Sequence, residues 1–167
     1  MIYALDVQYN GDKNGVIASI GFKNWEDKVA SYRQTHIIEP IEPYQAGLFN
    51  KRELPCLLEA LKGLKDIEFI VIDGYVWLEE ESHAGLGTHL YHALERKIPI
   101  IGVAKSKFNG TPQRCELLRG ESHKPLYISS IDISLTEAKE SIAKMEGLYR
   151  LPTLLKEADT LCREYQK

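Results

Sequence analysis

Residues 68–78, EFIVIDGYVWL, decide the fold class of this 167-residue chain. Four consecutive apolar residues, 69–72, precede Asp73 and Gly74. An unbroken apolar run that ends at a glycine is typical of a strand buried on both faces, as in a parallel sheet. Ligand sites in open α/β sheets lie at the carboxyl ends of strands, so Asp73 stands where chemistry is common. The alternative is that Asp73 only caps the following turn, where Gly74 supplies backbone freedom.

The composition is that of an ordinary globular protein, with 44% hydrophobic and 27% charged residues. A chain of this length can bury a core, and we expect a single domain over residues 1–167. No apolar stretch approaches the roughly 18 residues of a membrane span. Cys56, Cys115 and Cys162 are odd in number and lack CxxC spacing. They favour a reducing cytoplasm and argue against a disulfide framework or a zinc site.

Charge is distributed unevenly along the chain. The net charge of −3 argues against a protein that binds nucleic acid through a generally basic surface. Residues 96–124, however, are locally basic, which predicts either a basic surface or a solvated face. The cations there are Arg96, Lys97, Lys105, Lys107, Arg114, Arg119 and Lys124, against Glu116 and Glu121.

The order of predicted elements indicates a mixed α/β sheet. At the N-terminus, IYALDVQY, VIASIGF and WEDKVASYRQTHII predict three strands joined by short turns, an antiparallel meander. The leucines of ELPCLLEALKGL have amphipathic-helix spacing, with Pro55 in the first turn. After the Asp73 strand, the chain predicts a helix, two strands and two final helices. The first of these final helices begins with a capping box, Ser134 to Glu137.

Three carboxylates can meet if the first strand lies beside the Asp73 strand. Asp6 lies among apolar residues of that first strand, where a charge is costly unless it is paired or binds metal. On an edge strand it would instead face solvent. Glu53 opens the predicted first helix, where simple N-terminal capping is the alternative. Clustered carboxylates repel one another, so such a cluster needs divalent cations, and oxygen ligands suit magnesium or manganese. A two-metal site of this kind suits phosphodiester hydrolysis.

Several motifs, in the right order, resemble the endonuclease V family, which has a ribonuclease H-like fold. LDVQY resembles its first-strand Asp motif, PYQAGLFNKRELPCLL its Pro-Tyr wedge loop and following helix, and VIDGY its Val-Asp-Gly strand end. GLGTH, IPIIGVAKS, PLYIS and YRLPTLLKEAD also match, so the resemblance runs from about Asp6 to Arg163. It implies a ribonuclease H-like α/β mixed sheet, in which three antiparallel N-terminal strands continue into parallel strands with helices on both faces. The Asp6 strand would be central, beside the Asp73 strand.

The resemblance also implies an activity. The protein would be a magnesium-dependent endonuclease, with Mn²⁺ as a substitute ion, that hydrolyses DNA or RNA near a deaminated base, typically inosine. Asp6, Glu53 and Asp73 would be catalytic metal ligands, and Lys105 would stabilise charge on the reacting phosphate. Tyr44 would be the wedge aromatic that stacks where the base has left the helix. The alternatives are a surface lysine for Lys105 and an ordinary loop aromatic for Tyr44.

Binding of the substrate base follows from the same resemblance. Gly85, His89 and Gly102 would bind the substrate, and the backbone groups of Gly85 and Gly102 would line the pocket for the flipped base. We expect a cytoplasmic monomer that binds nucleic acid and no membrane. DNA and RNA both stay open as substrates, because the choice depends on contacts to a 2′-hydroxyl.

Two stretches depart from the family pattern. After Tyr44, Gln45 and Ala46 replace an apolar residue and a second proline. Where the family has a catalytic histidine within His-Pro-Arg-Arg, this chain reads YVWLEEESHAG, and His83 is the nearest histidine. His83 is expected to be of minor importance, since its loop should hold it near solvent. Two alternatives therefore stay open: a non-catalytic nucleic-acid-binding relative that kept the carboxylates, and a small-molecule-binding α/β domain.

Overall fold

The structure, a computed structural model, describes residues 1–46 and 49–165. Its strands form one mixed sheet and are β1 (Ile2–Asn10), β2 (Asn14–Phe22), β3 (Tyr32–Ile38), β4 (Phe69–Asp73), β5 (Ile100–Ala104), β6 (Glu116–Leu117) and β7 (Leu126–Ile131). Their order across the sheet is β3-β2-β1-β4-β5-β7-β6. β4 pairs in parallel with β1 and β5, and the other neighbours are antiparallel. The predicted N-terminal meander and the central position of β1 beside β4 are confirmed.

Helices cover both faces of the sheet, as predicted. They are α1 (Phe49–Leu61), α2 (Leu86–Ala93), α3 (Leu135–Ala143) and α4 (Thr153–Glu164). Successive residues of a strand point to opposite faces. In β4, Ile72 packs in the core with residues of α1 and α2, whereas Val71 packs in the core with residues of α3 and α4. The apolar run that predicted a strand buried on both faces is explained by these two cores.

Helix α1 begins earlier than the leucine pattern predicts. It starts at Phe49, so Glu53 lies in the second turn and Pro55 lies inside the helix. The interpretation of Glu53 as an N-terminal cap is therefore wrong, as is the placement of Pro55 in the first turn. The helix continues through its charged residues because Arg52 is anchored. Its guanidinium lies 3.9 Å from the centroid of the Tyr9 ring and donates hydrogen bonds to the turn between β1 and β2.

Arg119 is buried, so a basic surface over residues 96–124 cannot include it. One terminal nitrogen donates to the carbonyl oxygens of Tyr149 and Arg150, at 2.6 and 3.3 Å. The other donates to those of Met145 and Gly147, at 2.6 and 3.3 Å. This single guanidinium ties the segment before α4 to the chain that follows β6.

The remaining helix and cysteine predictions can be compared directly with the structure. Ser134 caps α3 by accepting a hydrogen bond from the Glu137 amide at 3.1 Å, which confirms the capping box. Cys56, Cys115 and Cys162 are buried and free. Within residues 1–46 and 49–165, no helix has the length and apolar character needed to cross a membrane. The 3₁₀ helix Gln113–Cys115 and the two-residue strand β6 were not predicted, because both are too short to show a periodic pattern.

Candidate active site

The parallel pairing of β1 and β4 brings two carboxylates next to each other on these central strands. Leu5 lies opposite Ile72, so Asp6 and Asp73 come next along the two strands. Asp6 is only 7% exposed, and the alternative of an edge strand with Asp6 in solvent is wrong. After Asp73 the chain turns sharply at Gly74, whose φ of 135° lies in a region that favours glycine.

Helix α1 supplies the third carboxylate. Asp6, Glu53 and Asp73 line one small cavity of about 20 Å³, together with apolar residues of β1, β4, α1 and α2. A cavity of this size has room for one water-sized particle. The three carboxylates predicted from the sequence therefore border the same small cavity.

Two of these carboxyl groups are strongly perturbed. Burial, followed by the charge of Asp73, raises the pKa of Asp6 from 3.8 to about 7. Burial and the same neighbour raise the pKa of Glu53 from 4.5 to about 7. The Val7 amide donates to Asp6 Oδ1 at 2.8 Å, which lowers the pKa of Asp6 but does not reverse the shift. Holding both groups ionised at neutral pH requires additional positive charge.

Lys105 supplies part of that charge from the end of β5. Its Nζ lies 3.6 Å from Asp73 Oδ2, and it lines a second cavity of about 20 Å³ with Asp6 and Asp73. Burial would lower the pKa of Lys105, but the carboxylates around it raise that pKa above its ordinary value. The alternative of a plain surface lysine does not fit a half-buried ammonium among carboxylates.

Asp159 is a member of the site that sequence reasoning missed. It lies on α4, is 6% exposed, and its Oδ1 lies 3.3 Å from Lys105 Nζ. Lys156 and Arg163 of the same helix also pair with it, at 3.4 and 2.8 Å. Although burial opposes it, Arg163 and Lys105 lower the pKa of Asp159. The sequence did contain a signal for the burial of Asp159. Leu155, Asp159 and Cys162 have the i, i+4, i+7 spacing of one buried helix face.

The donor chemistry of the site fits a hard divalent cation. Its acidic groups are all carboxylates, whose oxygens magnesium and manganese prefer, and burial raises the pKa values of two of them, Asp6 and Glu53. Within the described ranges, no three His, Cys, Asp or Glu side chains are close enough to hold an ion in this conformation. In this arrangement the ammonium of Lys105 pairs with the carboxylates of Asp73 and Asp159.

A larger pocket opens beside the carboxylates. It has a volume of about 480 Å³, within the range of small-ligand sites. Gly85 and His89 line it, together with Glu53, Asp73 and Phe108. Gly85, predicted to line a base pocket, and His89, predicted to bind the substrate, therefore border a cavity next to the carboxylates.

Gly102 has a different position. It lies within β5 and is not among the residues that line this pocket. A Cβ atom at Gly102 would lie 2.5 Å from the Gly74 carbonyl oxygen and 2.9 Å from the Val76 amide nitrogen. Its lack of a side chain allows the segment after β4 to cross closely over β5. Gly102 thus supports a loop of the pocket from beneath.

Tyr44 lies near the site but outside the 480 Å³ pocket. It is 56% exposed and lines a separate cavity of about 240 Å³ with Tyr9, Arg52 and Glu53. The ring of Tyr44 therefore lies on the Glu53 side of the site. The neighbouring Gln45 and Ala46 are exposed.

His83 stays outside these cavities. Its side chain is 56% exposed and lies 3.8 Å from Glu79 and 3.7 Å from Glu80. The loop folds back on itself, with His83 and Leu78 joined by a backbone hydrogen bond of 2.8 Å. This placement agrees with the expectation that the loop holds His83 near solvent.

The sheet order, with one carboxylate within the central strand β1 and another at the end of the adjacent β4, defines a ribonuclease H-like protein. The model of one protein family, Endonuclease V, matches residues 1–124. The chain therefore belongs to the endonuclease V family.

Similar sequences and structures agree with this assignment. The endonuclease V of Nostoc punctiforme is 30% identical over 139 residues, which cover 71% of this chain and 62% of that protein. That of Streptomyces avermitilis is 28% identical over 187 residues, covering 99% of this chain and 80% of the relative. A crystal structure of endonuclease V from Streptomyces avermitilis has a TM-score of 0.74 at 27% identity, covering 97% of this chain and 79% of that one.

A more distant structure resembles this chain in fold alone. The Ciona intestinalis endonuclease V has a TM-score of 0.78 at 18% identity, covering 98% of this chain and 84% of that one. It was crystallised with a 24mer DNA that contains an inosine followed by a ribo-adenosine. The chain is thus similar to this protein over nearly its whole described length.

Proposed function

We propose that this protein is a metal-dependent endonuclease that hydrolyses a phosphodiester bond of DNA or RNA near a deaminated base, with inosine as the leading substrate. One observation carries the proposal: Asp6, Glu53 and Asp73 line a single small cavity in an endonuclease V chain. The inosine-containing DNA bound by the Ciona relative supports the choice of base.

The carboxylates would hold the metal, with Mg²⁺ as the physiological ion and Mn²⁺ as a substitute. When bound, such an ion activates water and stabilises the leaving oxygen. Asp6 and Glu53 hold protons at acidic pH because of their burial, so binding of the ion would release those protons. Lys105, held by Asp73 and Asp159, would direct its ammonium at the reacting phosphate.

The pocket lined by Gly85 and His89 would take the flipped base. It shares Glu53 and Asp73 with the carboxylate cavity, so a base in it would keep the neighbouring phosphate close to the metal ligands. Phe108 offers an apolar surface and His89 offers ring nitrogens for hydrogen bonds. Tyr44 would stack against the bases that remain in the strand.

A second candidate is a nucleic-acid-binding relative without catalytic activity. Three consecutive glutamates, 79–81, favour it, because they present negative charge close to the pocket where a phosphate would approach. This repulsion would slow or prevent productive binding of a strand at that side.

Incubation with labelled strands distinguishes the two candidates. We expect strands that contain one inosine to be cleaved in the presence of Mn²⁺ or Mg²⁺, whereas matched strands with adenosine or guanosine stay intact. DNA and RNA versions of each strand identify the preferred sugar. Salt-sensitive binding without cleavage would favour the non-catalytic candidate. Absence of both binding and cleavage would overturn both candidates and favour a small-molecule-binding domain.

The raised pKa values predict how stability depends on pH when no metal is present. Below about pH 4, Asp6 and Glu53 are protonated in both the folded and unfolded chain. Between about pH 4 and pH 7, only the folded protein keeps these protons, because its pKa values are raised to about 7. The free energy of unfolding should therefore fall across this window as the pH rises. Melting temperatures measured in a chelator should show this decline, and Mg²⁺ should restore more stability at about pH 8 than at about pH 5.

Asp6→Asn is the test variant for this titration, and Asp12→Asn is its control. Asparagine keeps the shape of Asp6 but neither titrates nor ligates as an anion, so both the pH slope and the response to Mg²⁺ should shrink. Asp12 is largely exposed and accepts a hydrogen bond from Arg52, which the asparagine oxygen can also accept, so the pH slope and the response to Mg²⁺ of this variant should match those of wild type. Identical responses of wild type and Asp6→Asn to Mg²⁺ and Mn²⁺ would contradict a metal site at these carboxylates.

A further inference from the structure

A wide groove runs along α4 on the other side of the carboxylates from the pocket. It has a volume of about 760 Å³. We call it the α4 groove, and its polar lining consists of Lys105, Tyr149, Arg150, Thr153, Lys156, Asp159 and Arg163. Four of these side chains are cations and one is an anion, in a chain whose net charge is −3. The groove is therefore a local concentration of positive charge on an acidic protein.

The arrangement of these charges leaves some of them available to a ligand. Asp159 is buried and can balance only one of the cations around it. The side chains of Lys156 and Arg163 are 63% and 59% exposed while they contact it. Arg150 is fixed at the head of the groove, where it donates to the carbonyl oxygens of Lys105 and Pro125 at 3.0 and 3.2 Å. Exposed cations at fixed positions along a groove suit a ligand with regularly spaced negative charges.

The groove is continuous with the candidate active site. Lys105 lines both the α4 groove and the cavity that contains Asp6 and Asp73. A ligand lying along the groove therefore reaches the carboxylates at one end. Tyr149 adds an aromatic ring that is 79% exposed, a surface on which a base can stack. Acidic residues 79–81 lie between Leu78 and Ala84, which line the pocket, so negative charge is concentrated near the pocket and positive charge in the α4 groove.

We infer that the α4 groove binds the phosphodiester backbone of a single nucleic-acid strand on one side of the position of cleavage. Lys156 and Arg163 contact successive phosphates, and Tyr149 stacks on a base. This inference rests on the proposed function for the direction of the strand, but the binding that it describes does not require cleavage or an inosine.

Binding of an unmodified, labelled single strand in a chelator tests the inference apart from catalysis. The double variant Lys156→Gln/Arg163→Gln should weaken binding at least about tenfold at low salt. It should also reduce the slope of log affinity against log salt by about 0.7 for each phosphate that the variant no longer neutralises. Tyr149→Ala should weaken binding about fivefold, the lower end of the effect of removing one stacked base. The charge-preserving double variant Lys156→Arg/Arg163→Lys should bind as wild type does.

The matched control is Lys62→Gln/Lys97→Gln. Both lysines are 72% exposed and pair with a nearby glutamate, as Lys156 pairs with an aspartate. Lys62 precedes β4 and Lys97 precedes β5, whereas Lys105 follows β5. The two control lysines therefore lie at the opposite end of these parallel strands from Lys105. The control should bind as wild type does. Equal weakening by both double variants would overturn the inference, since the effect would then reflect net charge alone.

Three further outcomes are decisive. Wild-type affinity and salt slope in Lys156→Gln/Arg163→Gln would overturn the inference, even if the protein cleaves inosine strands. If Lys156→Gln/Arg163→Gln weakens binding but the wild-type protein cleaves no strand, the inference is supported and the proposed function is contradicted. Lys156→Gln/Arg163→Gln should weaken the binding of DNA and RNA strands of one sequence equally, because both strands present the same phosphates. If the double variant weakens the binding of RNA alone, the assignment of the groove to phosphates is overturned, and recognition lies at the 2′-hydroxyl instead.

Discussion

Replacing Lys105 with alanine should reduce the rate of strand cleavage on the order of 10²- to 10³-fold, the usual effect of losing one positioned donor beside a developing charge. The ammonium lies 3.6 Å from Asp73 and 3.3 Å from Asp159, at the end of a strand whose backbone is fixed by the sheet. No other cation contacts Asp73 among the residues that the structure describes. Single-turnover rates on inosine strands, measured with saturating metal, would report the loss.

Two matched variants separate this effect from a general loss of charge. Lys107 is exposed two residues further along, and Lys107→Ala should retain most of the activity. His83→Ala should also be mild, because His83 lies in solvent beside glutamates. If His83→Ala were as damaging as Lys105→Ala, the loop of residues 78–84 would have to close over the carboxylates during the reaction. His83 would then perform the task of the family histidine.

Asp159→Asn should slow cleavage by about 10- to 100-fold, as loss of a supporting partner of a site residue commonly does. Asparagine keeps the shape of the side chain but removes the charge that holds Lys105 from the α4 side. Lys105 would then be held by Asp73 alone, and its ammonium would be placed less accurately. Rates on inosine strands across a range of Mg²⁺ concentrations would reveal whether metal affinity falls together with the rate.

Glu164→Gln is the control, since it removes one negative charge from an exposed position on the same helix. It should leave the rate unchanged. Thermal unfolding of both variants shows whether any loss of activity follows from loss of structure. An Asp159→Asn protein that folds and cleaves at the wild-type rate would remove Asp159 from the site.

Strand periodicity made the sheet predictable. The apolar run at 69–72 and the alternating first strand each carry a local signal of burial, so both strands could be predicted from the residues alone. Their pairing, which brings Asp6 to Asp73, was expected from the family resemblance. The start of α1 could not be predicted in the same way, because Pro55 is a strong signal for the first turn of a helix. In the structure, the contact of Arg52 with the Tyr9 ring outweighs that local signal, and the helix starts at Phe49. Tertiary contacts of this kind leave no trace in a local pattern.

Asp159 shows a different limit of sequence reasoning. An acid among lysine and glutamate on a surface helix usually faces solvent, and only the apolar residues at i−4 and i+3 place it on the buried face of α4. Its three cationic partners come partly from its own helix and partly from the end of β5. Gly102 is a similar case, since the family pattern suggested contact with a base, whereas the three-dimensional structure shows contact with a crossing loop.

The four carbonyl oxygens that accept from Arg119 have a consequence for the thermodynamics of association. Because they belong to residues 145–150, the backbone that carries Tyr149 and Arg150 gives up its conformational freedom when the chain folds. Ordering a free segment would oppose association by about 1–2 kcal/mol for each residue fixed. A strand that binds this segment would therefore meet a backbone that is already ordered, and only the ordering of its side chains would oppose association from the protein side.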